Sequence, residues 1–415
     1  MGQYEDETSE IELPETIDDQ YVEQAFQRIL NEEEGSYSFA LWGLCGQDVS
    51  GIDMSNLSLE NFRRLTFDSE TKFSQEQQEK FHPEELLVRG REFTAGMTRL
   101  HETGIDGTGV NIGIIDSPFN SAIPEFDGTD GKPRVKEVFG ELSDDTFHGK
   151  TTASLAAGRK CGVAPNAALY LYSTNFSKER LDEILQHIID SGVVLDILSM
   201  SAPIQFSDKT QGLLDVLERR GLEHGKEFVF LYSERFREDF ALGRASNNGE
   251  ITLDEWFKAK CAQLDKDVSG NIILPCSGRT SVQLEGKGYK YNGSICGASF
   301  AIPQAAGLFA IARQIDPPLQ YDEFVEIARS TARRNNMRVD PEGIIEEINR
   351  RIALEKDKSL APKTPAGTVN PFTTREIGEA TIDVPTELKM KVAGVEQSEI
   401  IREASKNEGG EYNGE

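Results

Sequence analysis

Gly107-Thr-Gly-Val-Asn-Ile-Gly-Ile-Ile-Asp116-Ser-Pro118 is an aliphatic run that ends in a carboxylate. Strands apolar on both faces belong to buried parallel sheets. The same texture returns at Ala168 to Tyr172, Val193 to Met200, Phe228 to Tyr232 and Ile272 to Leu274. Between these runs, Leu181, Ile184, Leu185, Ile188 and Ile189 recur at the spacing of one helix face. The alternation predicts an α/β domain with a mainly parallel central sheet covered by helices.

Outward from that domain the texture changes. Residues 1–35 hold twelve acids against Arg28 alone, which predicts an acidic, disordered segment. Residues 36–92 carry short helical signals, with Ser58 ahead of Leu59, Phe62 and Leu65, and a capping box at Ser74-Gln-Glu-Gln77. They read as a small helical extension or a possible prodomain. The α/β texture runs over residues 93–350, and residues 351–415 read as a linker and C-terminal tail.

The whole chain has 415 residues, 44 Lys+Arg against 71 Asp+Glu, and a net charge of −27. That balance excludes a nucleic-acid backbone as the main partner, because neutralising phosphates takes clustered bases. The start, Met1-Gly-Gln-Tyr-Glu-Asp6, lacks the basic then apolar order of a secretory signal, and no run approaches the roughly 20 apolar residues of a membrane span. Cys45, Cys161, Cys261, Cys276 and Cys296 are odd in number, and none forms a C-x-x-C pair. That pattern predicts a reducing, cytoplasmic setting without disulfides. Oligomeric state is not legible.

Three segments place polar groups where a plain core would not. Asp116 ends an aliphatic strand, where ligands gather in open α/β sheets. His148 opens Phe147-His-Gly-Lys-Thr-Thr-Ala-Ser-Leu-Ala-Ala-Gly158, a helix whose small residues permit close approach to its neighbours. Ser299 lies in Gly297-Ala-Ser-Phe-Ala-Ile-Pro303, at the start of an alanine-rich helix, where the dipole favours an oxyanion and where Pro303 is tolerable in the first turn. Taken singly, each leaves a structural role open: turn cap, helix-start histidine and N-cap serine.

Taken together, and in the order Asp, His, Ser, these segments resemble the subtilisin-like serine proteases. Gly297-Ala-Ser299-Phe-Ala-Ile-Pro303 is similar to that family's serine motif with Ala298 in place of Thr, and His148-Gly with Thr152-Ala matches its histidine helix with Lys150 in place of Thr. Gly162-Val-Ala-Pro-Asn-Ala and Ile197-Leu-Ser-Met-Ser201 resemble its ancillary segments, and the likeness covers roughly Thr94 to Ser330. The resemblance implies a subtilisin-like three-layer fold and a serine endopeptidase. Ser299 would be the nucleophile, His148 the general base and Asp116 its orienting partner. It implies a peptide or protein substrate lying along Ser201, Ala202 and Pro203, and a chemistry that needs no cofactor or metal, although members of the family often bind structural calcium.

The departures are informative. The family places an oxyanion Asn after the strand that here reads Glu227-Phe-Val-Phe-Leu-Tyr-Ser-Glu234, and the nearest residues are Ser233 and Glu234. Losing one such donor costs about 2.7–4 kcal/mol in the transition state. The Ser299 backbone amide remains, and Asn247 or Asn248 in the following insertion are candidate replacements. Pro203 has no amide to pair with a substrate strand, and Ser117-Pro118 replaces a glycine-bearing turn. Asp265-Lys-Asp-Val-Ser-Gly-Asn-Ile272 starts like a calcium loop, but Cys276 stands where the loop needs Glu. A subtilase-like pseudoprotease, kept for binding or regulation, is the alternative. A different acyl-hydrolase scaffold is a weak third reading, because no G-x-S-x-G elbow surrounds a serine.

Overall fold

In the computed structural model, which describes residues 13–30, 43–94, 96–120, 122–128, 130–143, 146–244, 262–263, 270–283, 288–293, 297–332 and 337–360, the chain first builds a layer of short elements. These are α1 (Asp19–Leu30), α2 (Leu59–Phe62), β1 (Phe67–Asp68), α3 (Gln75–Phe81) and α4 (Pro83–Arg89). Then come α5 (Met97–Glu102), β2 (Asn111–Asp116), β3 (Val135–Phe139), α6 (His148–Ala157), β4 (Ala168–Ser173), α7 (Lys178–Ser191), β5 (Ile197–Met200), α8 (Asp208–Glu223), β6 (Val229–Leu231) and α9 (Ser233–Asp239). The remainder is β7 (Phe240–Arg244), β8 (Ala262–Gln263), β9 (Ile272–Pro275), β10 (Arg279–Val282), β11 (Tyr289–Asn292), α10 (Ala298–Ile315), α11 (Tyr321–Thr331) and α12 (Pro341–Leu360). All belong to one compact unit, Met1–Leu360.

The aliphatic runs pair as their two-sided apolarity predicts. The central sheet has the order β3-β4-β2-β5-β6, with every neighbouring pair parallel. Successive residues serve opposite faces: Ile112 and Ile114 join Ala153, Ala156, Ala305 and Leu308 on the side of α6 and α10. Ile115 and Tyr172 join Leu181, Ile184, Leu185 and Leu217 on the side of α7 and α8. Each such Ile or Leu contributes about 1.5–3 kcal/mol by leaving water, so these two layers hold the strand ends in place. The α/β architecture with a helix-covered parallel sheet is therefore as expected.

Small residues set the helix spacing. A Cβ on Gly307 of α10 would sit 2.6 Å from the Ala156 carbonyl of α6, so a side chain there would push the helices apart. Gly113 in β2 likewise makes room for Leu198, whose Cδ1 would be 2.7 Å from an added Cβ.

Several expectations need correction. Residues 19–30 of the acidic stretch form α1, because Val22 and Phe26 fall one helix turn apart and are buried with Ile17. The acids face outward or cap: Asp19 Oδ1 accepts the amide and hydroxyl of Ser58, both at 2.8 Å. The region from 43 to 92 has a core of its own around Phe62, Phe67 and Phe81, with Phe62 and Phe81 stacked at 4.2 Å. It also lends β1 to an antiparallel sheet of order β1-β11-β10, so it is more than a helical extension. The caps at Ser58 and Ser74 form as the sequence indicates.

Ile272 to Leu274 does become a strand, but in a separate sheet of order β8-β7-β9. Helix α12 continues to Leu360, past the boundary expected at 350. Cys276 is disulfide-bonded, which overturns the expectation of a thiol-only chain and removes that support for a reducing compartment.

Candidate active site

Strand β2 ends at Asp116, at the carboxyl edge of the sheet, and buries it completely. Its Oδ1 lies 2.7 Å from His148 Nδ1 and accepts the Ser117 amide at 2.7 Å. Its Oδ2 accepts the Thr152 hydroxyl at 3.1 Å. A carboxylate only accepts, so the contact puts the imidazole proton on Nδ1 and leaves Nε2 the basic nitrogen.

The local sequence explains this placement. His148 is the first residue of α6, and Gly149 follows because a Cβ there would collide with the Ser117 carbonyl. The Gly149 amide instead donates to Ser117 Oγ at 3.0 Å, which staples the helix start to the turn after β2. Thr152, four residues beyond His148, lies on the same helix face and reaches the second carboxylate oxygen. Lys150 on that first turn is fully buried.

Ser299 is the second residue of α10, and the N-cap is Gly297 in an extended conformation (φ −139°, ψ 153°). Glycine brings no side chain to the first-turn amides, so they are presented without a side-chain acceptor. Pro303 falls in the second turn of α10, not the first as the sequence suggests, and it has no amide hydrogen for the Ser299 carbonyl four residues earlier. The Ser201 hydroxyl fills that vacancy, donating to the Ser299 carbonyl at 3.0 Å. In return the Ser299 hydroxyl donates to the Ser201 carbonyl at 3.3 Å. Phe300 beside it sets its ring 6.0 Å from that of His148.

The structure thus joins Asp116 to His148 directly. Ser299 is tied to the segment that continues β5, with its neighbour Phe300 facing the imidazole. In that segment Ser201 and Ala202 are buried and Pro203 is exposed. Ser233 opens α9 and is buried, its amide donating to the Ala202 carbonyl at 3.3 Å. The Glu234 carboxylate accepts the Ile204 amide at 3.3 Å. Asn247 and Asn248 lie outside the described residues, as does the acidic stretch from Asp265 to Ser269.

Sequence reasoning missed two contributors. Thr152 as a carboxylate ligand was signalled by its one-turn spacing from His148. The partnership of Ser201 with Pro303 was signalled only by a proline in a helix interior. Among the described residues, no group of three or more His, Cys, Asp or Glu is placed to hold a metal ion, and no helix is long and apolar enough to cross a membrane.

No family model and no curated protein matches the chain. Among solved structures it is similar to a cold adapted subtilisin-like serine proteinase, at 17% identity and a TM-score of 0.42, over 56% of this chain and 85% of that one. It is similar to the prenylagaramide maturation protease PagA at 14% identity and a TM-score of 0.41, over 61% and 98% of the two chains. It is similar to MycP1 with the N-terminal propeptide removed at 18% identity and a TM-score of 0.39, over 60% and 96%.

Proposed function

We propose that the chain is a serine endopeptidase that cleaves peptide bonds with Ser299 as nucleophile, His148 as general base and acid, and Asp116 as the group that orients and stabilises the imidazole. The observation that carries this reading is the buried Asp116 at 2.7 Å from His148 Nδ1, at the carboxyl end of a central parallel strand. A buried carboxylate costs several kcal/mol unless it is ligated, and here it takes up three donors, one of them a half-buried histidine. The motif order Asp116, His148, Ser299 supports the same reading.

The chemistry follows from the geometry. Rotation about the Ser299 Cα–Cβ bond takes its hydroxyl off the Ser201 carbonyl and towards Nε2. His148 then accepts the proton as Oγ attacks a peptide carbonyl, and later returns it to the leaving amine. The Ser299 backbone amide, at the start of α10, stabilises the oxyanion. Glu234, engaged with Ile204, contributes no donor. A peptide or protein substrate lies along Ser201 to Pro203.

The second reading, a pseudoprotease retained for binding or regulation, is favoured by one observation: the Ser299 hydroxyl is directed at the Ser201 carbonyl. A fluorophosphonate probe separates the two. Labelling that is lost in both Ser299→Ala and His148→Ala supports the peptidase. No labelling of folded wild-type protein supports the pseudoprotease.

A further inference from the structure

We infer that residues 43–92 act as a permanent brace for the strand that leads into the nucleophile, with Tyr291 and Gly293 as positioning residues; this rests on Ser299 being the nucleophile. Strand β11 is gripped on two faces. On one, Tyr291 belongs to the core of the N-terminal layer: it pairs in register with Phe67, their rings are 5.1 Å apart, and its hydroxyl donates to the Arg63 carbonyl at 3.1 Å. One residue past the strand, a Cβ on Gly293 would strike the Leu65 carbonyl and lie 2.5 Å from that of Arg63. Backbone cannot yield as a flexible side chain does, so this position is closed to any residue but glycine without moving one of the two backbone segments.

On the opposite face of β11, buried Lys290 places Nζ 4.8 Å from the centre of the Phe147 ring. Phe147 precedes His148, and their rings lie 5.9 Å apart. Five residues separate Gly293 from Ser299 in the sequence. One strand therefore touches both the N-terminal layer and the start of the histidine helix, and it precedes the serine helix closely in sequence. A second grip lies next door, where the Gly90 carbonyl accepts the Thr280 amide at 2.8 Å and Arg279 Nη1 at 2.9 Å.

A removable prodomain makes contacts the mature enzyme can lose. These contacts instead include backbone pairing inside the sheet that holds β11, the strand preceding the nucleophile helix in sequence. The layer works from behind β11, setting where α10 begins relative to α6.

The test compares full-length wild type with Tyr291→Phe, Gly293→Ala and the control Tyr289→Phe. The control removes a hydroxyl from the same strand, one that donates to Glu125 Oε2 at 2.9 Å. The readouts are the second-order rate of fluorophosphonate labelling and hydrogen exchange across residues 288–300. Tyr291→Phe should slow labelling about fivefold to tenfold, the equivalent of one net hydrogen bond, and speed exchange in that segment. Gly293→Ala should slow it further, and Tyr289→Phe should stay within twofold of wild type. Should Gly293→Ala fail to fold, Tyr291→Phe decides alone. Wild-type labelling with Tyr291→Phe unchanged, or with Tyr289→Phe equally slowed, overturns the brace and leaves the peptidase reading intact. Unlabelled wild type overturns both.

Discussion

Replacing Asp116 with Asn tests what the carboxylate does, because the surrounding donors dictate how an amide would sit. The Ser117 amide at 2.7 Å from Oδ1 can only donate, so the amide oxygen must take that position. Nδ2 then falls where Oδ2 was, facing Thr152 Oγ1, which can accept from it while keeping its bond to the Gly149 carbonyl at 3.0 Å. His148 Nδ1 still meets an oxygen, and the imidazole keeps its working tautomer. What disappears is the negative charge beside an imidazolium. Two unit charges about 4 Å apart at an effective dielectric near 20 interact by about 4 kcal/mol, or about 10³ in rate. That is less than the roughly 10⁴ that follows when the wrong tautomer is imposed. The assay is the rate of fluorophosphonate labelling of Asp116→Asn against wild type, with thermal melting to show both are folded. Adding Thr152→Val removes the acceptor that holds Nδ2, frees the amide to flip, and should lower the rate by about a further tenfold. A rate for Asp116→Asn within tenfold of wild type would refute the reasoning.

Ser201→Ala should strand the Ser299 carbonyl and lower stability by about 1–3 kcal/mol, whereas in a Pro303→Ala background, which restores the helical donor, the same change should cost less than half as much; additive melting shifts would contradict this. Incubated protein should show no clipping between Arg89 and Phe93 by mass spectrometry, because Gly90 is bound to Arg279 and Thr280 and Phe93 is buried in the central core; cleavage there that disappears in Ser299→Ala would reinstate a removable prodomain. Burial pushes the Cys161 thiol well above its usual value and the half-buried Cys45 thiol up to about 12, so at pH 8 in native protein Cys161 should resist iodoacetamide and Cys45 should react slowly. The thiolate is the nucleophile, so any reaction of these groups should rise as pH approaches the raised values, and rapid modification near neutrality would count against the packing described.

The central sheet was legible because parallel strands buried on both faces leave a continuous aliphatic signal, and β2, β4, β5 and β6 each carry one. Strand β3, Val135-Lys-Glu-Val-Phe139, was not, because it lies at the sheet edge and its half-buried residues mix charge with apolar groups. Helix α1 was hidden by composition: Val22 and Phe26 are two residues among a crowd of acids, and their burial depends on a core assembled from residues 43–92. Strand β1 has only two residues, too few for any periodicity, and its partner β11 lies more than 220 residues away. The site divides in the same way. Asp116 and His148 were legible as residue types at strand and helix ends, while the roles of Ser117, Thr152 and Ser201 come from hydrogen bonds between segments far apart in sequence.

Glu234 shows how a residue that argues against activity in the sequence changes meaning in the fold. A carboxylate facing a developing oxyanion would oppose it. Here the carboxylate accepts the Ile204 amide, while the neighbouring Ser233 amide donates to Ala202, so the start of α9 ties down the segment from Ala202 to Ile204. Ser201, immediately before that segment, has the hydroxyl that substitutes for the amide that Pro303 lacks. The acid therefore supports the position of Ser299 through two intermediaries, and its cost to catalysis is the absence of a donor, about 10²–10³ in rate, not the presence of a repelling charge. On the proposed reading acylation would be slow, so the reactivity of Ser299 towards a phosphonate, whose attack needs no peptide recognition, is the sensitive measure of whether the site works.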